Sequence, residues 1–416
     1  MLLVIKKYHY NIDRIPEGAD ILSISLSNRV KSIKPSQTLA ITARAKELRT
    51  QGLDIIGLGA GEPDFDTPDH IKEAAIQAIR DGFTKYTAVD GTPSLKQAII
   101  DKFKRDNNLN YEMNQILVSS GGKQSSFNLL QALINPGDEV IIPAPYWVSY
   151  PDMTLLAEGV PIIVPAGIEQ NYRITPEQLQ AAITDRTRLV FINSPSNPTG
   201  SVYSREELIA LGGVLNNHPD IIIATDDMYE HILWTDAPFV NIVNACPELY
   251  DRCIVLNGVS KAYSMTGWRI GYCGGPADLI AAMKKTQSQS TSNPCSISQV
   301  AAEAALNGDQ GCIAPMLKAF KERHDFVVER LNAMENVNCL ESDGTFYAFA
   351  DFRQVIAKND DISNDVEMAD YLLNKAKVAL VPGSAFGAEG YMRISYATSM
   401  EMLDQALTRI DSVLSQ

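Results

Sequence analysis

The sequence predicts an α/β protein with a mostly parallel open sheet in a large domain and a smaller α+β domain beside it. In the middle of the chain, short apolar runs alternate with segments of helical periodicity, which is the rhythm of βαβ units. Several runs are apolar without a break, as is typical of parallel strands buried on both faces. After about residue 310 the alternation gives way to a long charged helix and weaker strands, which indicates the second domain.

The individual elements follow from the same patterns. Strands are predicted at residues 53–58, 116–118, 139–142, 189–192, 221–224, 253–256, 270–273 and 346–352. Helices are predicted at residues 36–49, 69–81, 125–133, 205–216, 316–334 and from Glu401 onward. Thr67-Pro68 marks the start of the helix at 69–81, because proline favours the first turn of a helix.

The length of 416 residues corresponds to two domains at about 100–200 residues per domain. We expect residues 1–28 to form an N-terminal extension or arm, because they match no sequence pattern that predicts a helix, a strand or a site. Residues 29–70 and 310–416 together are predicted to form the small domain, and residues 71–309 the large one.

Composition excludes several classes of function. The net charge of −14 disfavours nucleic acid as a partner, since an acidic surface repels phosphate backbones. No apolar stretch reaches the ~18 residues of a membrane span, and Lys6 and Lys7 interrupt the apolar N-terminus, so we expect a cytoplasmic protein. The six cysteines form no C-x-x-C pair and are interpreted as free thiols, and the five scattered histidines predict no metal site.

Two glycine-rich segments do not complete a nucleotide motif. Gly57-x-Gly59-x-Gly61 is followed by Glu62, so the last glycine of a dinucleotide-binding G-x-G-x-x-G is missing. The segment SSGGKQ at 119–124 lacks the first glycine and the Ser/Thr of a Walker loop.

Polar segments instead follow five of the buried strands. They are SSGGK at 119–123, PYW at 145–147, NSPSNPTG at 193–200, DDMY at 226–229 and Ser260-Lys261. Each alone is as well explained by a loop, a helix cap or a surface lysine. Because ligands of open α/β sheets lie outside the carboxyl ends of the strands, their convergence on one edge predicts a site there.

The residue types at this edge fit a pyridoxal 5'-phosphate (PLP) site. The Lys261 amine suits covalent attachment of the cofactor, and the Asp226 carboxylate suits the pyridine nitrogen. Gly121-Gly122 at a helix start suits the phosphate, Trp147 the ring face, and Arg393 a substrate carboxylate.

Seven motifs, in order along the chain, resemble those of the class I aminotransferases, the aspartate aminotransferase family, and the resemblance is closest to its bacterial type. The segment NGVSKAYSMTGWRIGY at 257–272 is similar to the cofactor-lysine segment of this family. The others are GAGEPDFDTP, SSGGKQ, PYWVSY, NSPSNPTG, TDDMYEH and MRISYA. The resemblance implies the PLP-dependent transferase fold (fold type I), with the cofactor bound in the large domain.

The resemblance also implies roles in cofactor binding. Lys261 carries the cofactor, Asp226 pairs with the pyridine nitrogen, and Tyr229 and Asn197 hydrogen-bond the phenolic oxygen. Trp147 stacks on the ring, while the phosphate is surrounded by Gly121, Gly122, Lys123, Arg269 and Ser260. Tyr86 reaches the phosphate of a partner subunit, which implies a homodimer with shared active sites.

The substrate residues implied are Arg393 for the α-carboxylate, with Gly61, Asn197 and Trp147 around it. Many relatives carry a serine three residues before the lysine, where this chain has Gly258. Counting back from Ser292-Asn293-Pro294, Ser288 occupies the position where animal-type enzymes carry an arginine for the distal carboxylate. Lys123, Lys34 and Thr38 are the candidates to replace that arginine.

The predicted activity is transfer of an amino group from L-aspartate or glutamate to 2-oxoglutarate or oxaloacetate by a ping-pong cycle. Prephenate or aromatic substrates are an alternative on the same scaffold, and so is a PLP lyase or cyclopropane-forming synthase. A PLP-sensing regulator is a remote alternative, because the short, non-basic N-terminus leaves no room for a winged helix.

Overall fold

The computed structural model describes residues 24–35, 37–235 and 237–415, apart from the side chains of Gln37 and Leu39. Residues 1–23 of the predicted arm and Ser36 lie outside these ranges.

Helices and strands alternate through most of the described chain. The helices are α1 (Asn28–Ser32), α2 (Gln37–Thr50), α3 (Asp69–Arg80), α4 (Pro93–Asn107), α5 (Gly122–Leu133), α6 (Ser149–Leu156), α7 (Pro176–Ala182), α8 (Arg205–Asn216), α9 (Ile242–Ala245), α10 (Ala277–Ser288), α11 (Ser296–Asn307), α12 (Ile313–Asn332), α13 (Arg353–Ala357), α14 (Asp365–Lys375) and α15 (Met400–Leu414). The strands are β1 (Ile56–Gly57), β2 (Ile116–Ser119), β3 (Glu139–Ala144), β4 (Val160–Pro165), β5 (Thr187–Asn193), β6 (Ile222–Asp226), β7 (Cys253–Gly258), β8 (Gly271–Gly274), β9 (Asn338–Cys339), β10 (Tyr347–Asp351), β11 (Val378–Ala379), β12 (Val381–Pro382) and β13 (Tyr391–Ser395). None of the described helices is long and apolar enough to cross a membrane.

The large sheet carries the site. Within the described chain it has seven strands in the order β2-β8-β7-β6-β5-β3-β4. The pairs from β7 through β4 are parallel, whereas β8 runs antiparallel to both of its neighbours. Since β8 is reversed between β2 and β7, those two strands point the same way. The segments after β2, β3, β5, β6 and β7 therefore meet at one edge.

The two ends of the described chain come together in smaller sheets. Strand β1 pairs in parallel with β11, and β12, β13, β10 and β9 form a four-stranded sheet in that order. Helix α2 packs against β1, β11 and β12. These pairings bring the residues near Gly57 beside the strand that carries Arg393, while the division at residues 29–70, 71–309 and 310–416 stays a prediction.

The structure differs from the predicted elements at several positions. Of the strand expected at 53–58, Ile56–Gly57 form strand β1, and its partner β11 is equally short. Strand β4 was not predicted, since it is a half-exposed edge strand that contains Pro161 and ends at Pro165. Helix α5 begins at Gly122 rather than at residue 125, because Gly121 turns the chain directly out of β2.

Candidate active site

A cavity of about 450 Å³ opens at the carboxyl ends of the strands of the large sheet. Most of the residues predicted for the site contribute to its wall: Thr38, Gly61, Gly122, Lys123, Trp147, Asn197, Asp226, Tyr229, Ser260, Lys261, Arg269 and Arg393. Gly121, Lys34 and Tyr86 are the predicted residues that do not line it.

The first turn of α5 and Arg269 form one end of the cavity. Gly121 precedes the helix with φ +90°, and a Cβ built on it would lie 2.2 Å from the Arg269 guanidinium, so glycine alone permits this approach. The first N–H groups of a helix have no partner within the helix and attract an anion. Arg269 itself is held by a hydrogen bond of 2.9 Å from Nη1 to the carbonyl of Thr266. This end of the cavity is built to accept a phosphate group.

Asp226 and Asp227 turn their side chains in opposite directions at the end of β6. Asp226 lines the cavity, where its Oδ2 accepts a hydrogen bond of 2.5 Å from the hydroxyl of Tyr150. Burial raises the pKa of the Asp226 carboxyl, and the bond from Tyr150 acts against this shift. Asp227 faces away from the cavity and accepts from Thr225 Oγ1 at 2.6 Å and from Asn241 Nδ2 at 2.8 Å. Only Asp226 is therefore available to a ligand.

Lys261 presents its amine to the middle of the cavity. Its Nζ donates to the carbonyl of Gly61 at 2.6 Å. Burial, followed by the positive charges of Arg393 and Arg269, lowers the pKa of the Lys261 amine to about 8, although Glu62 and Asp226 act in the opposite direction. A larger fraction of this amine is therefore neutral near pH 7 than in an ordinary lysine.

Arg393 lies on β13, so the four-stranded sheet contributes a side chain to the cavity wall. Its Nη1 donates to Asn197 Oδ1 at 3.0 Å and its Nη2 to the carbonyl of Gly59 at 2.8 Å. The guanidinium lies 4.4 Å from the centroid of the Tyr347 ring. Its buried Nε has no hydrogen-bond partner within the described part of the chain. A buried guanidinium with a donor to spare suits a carboxylate ligand.

Lys123 lies between two cavities. Its Nζ is 5.1 Å from the centroid of the Trp147 ring, and burial together with the charge of Arg269 lowers the pKa of its amine. The side chain lines both the first cavity and an adjoining one of about 680 Å³. Lys34 lines only this second cavity, whereas Thr38 lines only the first.

Tyr86 lies outside both cavities. It belongs to the loop between α3 and α4, and 93% of its surface is exposed.

Tyr150 and Tyr347 are two of the residues at the site that sequence reasoning missed. Tyr150, the donor to Asp226, follows Trp147 by three residues within PYWVSY. Residues three apart on a helix lie on the same face, so this spacing could have placed Tyr150 near the site. Tyr347 lies with its hydroxyl 3.0 Å from that of Tyr229, but it belongs to a strand of apolar residues that gives no sign of a site.

A group of metal-ligand type lies elsewhere, at Asp106, Glu230 and His231. The ammonium of Lys102 hydrogen-bonds Glu230 and lies 3.8 Å from Asp106 Oδ2. A cation is therefore already present among these carboxylates.

The polar groups that line the first cavity fit a phosphorylated pyridine aldehyde. The helix start and Arg269 suit its phosphate, the Asp226 carboxylate its ring nitrogen, and the Lys261 amine its aldehyde carbon.

Comparisons with known proteins agree with this geometry. Residues 53–410 match the family model of aminotransferase class I and II. An aspartate/prephenate aminotransferase from Nitrosomonas europaea is 64% identical over 397 residues, which are 94% of this chain and 100% of the relative. An aspartate/prephenate aminotransferase from Cereibacter sphaeroides is 54% identical over 391 residues, which are 93% of this chain and 98% of the relative.

Solved structures show the same fold. The aspartate aminotransferase from Rhizobium meliloti has a TM-score of 0.91 at 48% identity, covering 94% of this chain and 99% of its own. The Thermus thermophilus aspartate aminotransferase with maleate has a TM-score of 0.88 at 42% identity, with coverage of 94% and 99%. The predicted α/β class and PLP-dependent transferase fold are thereby confirmed, and the chain belongs to the class I and II aminotransferase family.

Proposed function

We propose that this protein is a PLP-dependent aminotransferase that moves the amino group of L-aspartate or glutamate to 2-oxoglutarate or oxaloacetate. The observation that carries the proposal is the meeting of the Lys261 amine, the Asp226 carboxylate and the Arg393 guanidinium on the wall of one cavity. These three groups serve the amino group, the cofactor ring and the substrate carboxylate in turn.

The cofactor would be held from several sides. Its phosphate would be bound by Gly121, Gly122, Lys123, Ser260 and Arg269, its ring by Trp147, Asp226, Tyr229 and Asn197, and its aldehyde carbon by Lys261. Asn197 Oδ1 accepts from Arg393, and its Nδ2 would donate to the phenolic oxygen of the cofactor. Bound PLP supplies a covalent attachment for the amino group and an electron sink for the pair left by the departing α-proton.

Lys261 moves the proton. With PLP bound, its Nζ would hold the aldehyde carbon, and as a free amine it would take up and return the proton at the substrate α-carbon. A pKa of about 8 keeps a useful fraction of this amine neutral, as a general base requires. The positive charges of Arg393 and Arg269 lower this pKa. Arg393 would also bind the substrate α-carboxylate, and Arg269 the cofactor phosphate.

Arg393 would hold the α-carboxylate, with Gly61, Asn197 and Trp147 around it. Lys123 would hold the distal carboxylate of an acidic substrate, with Lys34 and Thr38 closing over the same group. The position of Lys123 on both cavities supports this role, because a buried carboxylate without a partner is costly.

A second substrate class is favoured by the adjoining cavity. Its volume of about 680 Å³ offers room for a ring between Lys34 and Lys123, as an acidic cyclic oxo acid such as prephenate requires. The relatives from Nitrosomonas europaea and Cereibacter sphaeroides carry prephenate in their names.

We further propose a homodimer with shared active sites, in which Tyr86 of one subunit reaches the cofactor phosphate of the other. Its 93% exposure in the single chain supports this, since a tyrosine at an interface is commonly buried by its partner. The cytoplasm is the proposed location, supported by six cysteines that are all unpaired in the structure.

A donor–acceptor screen tests the proposal. Purified protein supplied with PLP should transfer amino groups from aspartate and glutamate to 2-oxo acids, including prephenate, and Lys261→Ala should abolish turnover. Full activity of Lys261→Ala would overturn the assignment. Pyruvate or ammonia released without an amino acceptor would point to a lyase instead.

A further inference from the structure

The loop between α3 and α4 holds Tyr86 at the protein surface. Residues 81–92 form no helix or strand, and connections of this length without regular structure commonly serve a function. Beyond Tyr86, however, the loop is tied down by buried side chains from other elements.

Gln299, on α11, joins the two ends of the segment that follows Tyr86. Its amide is fully buried. Its Nε2 donates to Thr87 Oγ1 at 2.9 Å and to the carbonyl of Pro294 at 2.9 Å. Its Oε1 accepts from the N–H of Thr92 at 2.8 Å. One buried amide therefore fixes the residue next to Tyr86, the end of the loop and the segment that leads into α11.

The middle of the same segment is fixed as well. Gln287, which is also fully buried, donates from Nε2 to the carbonyl of Val89 at 2.7 Å. The carboxylate of Asp90 lies 2.8 Å from the ammonium of Lys96 and 3.0 Å from that of Lys284. Residues 87–92 are thus held by hydrogen bonds and ion pairs from α4, α10 and α11.

Tyr86 stands directly before this fixed segment and is itself 93% exposed. A surface side chain on a free loop loses conformational entropy when it binds, and a loop already held in its bound form avoids that cost. The buried contacts therefore set the direction in which the Tyr86 side chain points away from the protein. They do not act through packing against its ring.

We propose that Gln299 is a positioning residue for Tyr86, acting through the Thr87 hydroxyl to present the Tyr86 hydroxyl to the cofactor phosphate of a second copy of this chain. This inference rests on the proposed function, in which Tyr86 completes the partner's site.

The variant Thr87→Val tests the link with little risk to folding. It removes the hydroxyl that receives the Gln299 bond, keeps the shape of the side chain and leaves one Gln299 N–H unpaired, whereas Gln299→Leu would leave all three of its partners unpaired. We expect Thr87→Val to raise the dissociation constant for PLP roughly two- to tenfold, as for one lost neutral hydrogen bond. Thr84→Val is the matched control, since it lies on the other side of Tyr86 and its hydroxyl, within the described chain, donates to the carbonyl of Gly82. It should leave the constant unchanged.

A double-mutant cycle with Tyr86→Phe separates positioning from general destabilisation. Tyr86→Phe should itself weaken PLP binding roughly ten- to hundredfold, as for a lost bond to a charged group. In that background, Thr87→Val should add less than roughly a twofold change, because its effect passes through the tyrosine hydroxyl.

Each outcome can be read from absorbance titrations of the dimer with PLP. An undiminished effect of Thr87→Val in the Tyr86→Phe background overturns this inference alone. An equal effect of Thr84→Val and Thr87→Val overturns it too. Unchanged affinity in Tyr86→Phe overturns both the inference and the proposed role of Tyr86.

Discussion

In the proposed mechanism the amine of Lys261 has two conflicting roles, since it must bond a carbonyl carbon and later hold a proton. Burial and neighbouring cations lower its pKa to about 8, so about one-tenth of it is neutral at pH 7, far more than in a lysine with a pKa of about 10.4. The neutral amine is the nucleophile, and its fraction rises with pH through the pKa.

Cofactor-free protein should therefore bind PLP covalently at a rate that rises with pH to a midpoint near 8. Stopped-flow absorbance in the visible range measures this rate, with N-acetyl-lysine as the control at a midpoint of about 10.4. A protein midpoint equal to that of the control would contradict the environment described for Lys261.

Asp226 and Asp227 offer a comparison between adjacent carboxylates. Asp226→Asn should retain the cofactor but lower kcat roughly ten- to hundredfold or more, because a neutral amide cannot keep the pyridine nitrogen protonated. Asp227→Asn is the control and should stay close to the wild-type kcat, since that side chain faces Thr225 and Asn241. Equal losses in steady-state kinetics would show that the wrong aspartate has been assigned to the ring.

At the scale of elements, the first turn of α5 combines two tasks in consecutive residues. Gly122 and Lys123 line the first cavity at the end proposed for the phosphate, and Lys123 also lines the second cavity. Lys123→Ala should lower kcat/KM for aspartate and glutamate roughly ten- to hundredfold, the cost of a charged hydrogen bond. Alanine and phenylalanine should be used nearly as well as before. A uniform loss across acidic and neutral donors would mean that Lys123 serves only the cofactor.

The elements around this turn were largely predictable from the sequence. Strands β2, β3, β5, β6, β7 and β8 were predicted because each is a short apolar run, and helix α8 was predicted at its observed bounds. The reversed direction of β8 was not predicted, because hydrophobic periodicity indicates which residues of a strand are buried but not the direction in which the strand runs. Tyr347 was missed for a related reason, because a tyrosine in an apolar strand looks like core until its neighbours in space are known.

It was easier to predict which residues line the site than to predict which of them contact one another. Lys261 and Asp226 stand out by residue type and by their position at or after the ends of strands, Arg393 stands out by residue type and by the motif MRISYA, and all three line the cavity. The bond from Tyr150 to Asp226 and the bond from Lys261 to Gly61 join residues far apart in sequence, which no local pattern reports. The roles assigned to these side chains remain predictions that the variants above test.

For the molecule as a whole, shared sites make a prediction about mixed dimers. A Lys261→Ala subunit and a Tyr86→Ala subunit should both be nearly inactive alone, but a hybrid dimer keeps one intact site, because a two-fold interface pairs each lysine with the other chain's tyrosine. Unfolding and refolding an equal mixture should recover roughly a quarter of the wild-type activity, since half of the dimers are hybrids with one working site of two. No recovery, with hybrids verified by mass, would argue against sharing.

The bond between Arg393 and Gly59 spans 334 residues of sequence, and this separation sets an order of events during synthesis. At about 5–20 residues per second, the ribosome adds Arg393 roughly 20–70 s after Gly59. A nascent chain that has reached β8 already contains Gly121, Asp226, Lys261 and Arg269, so these residues proposed to hold the cofactor are translated before Arg393. Arg393, the residue proposed to bind the substrate carboxylate, is therefore among the last parts of the site that the growing polypeptide acquires.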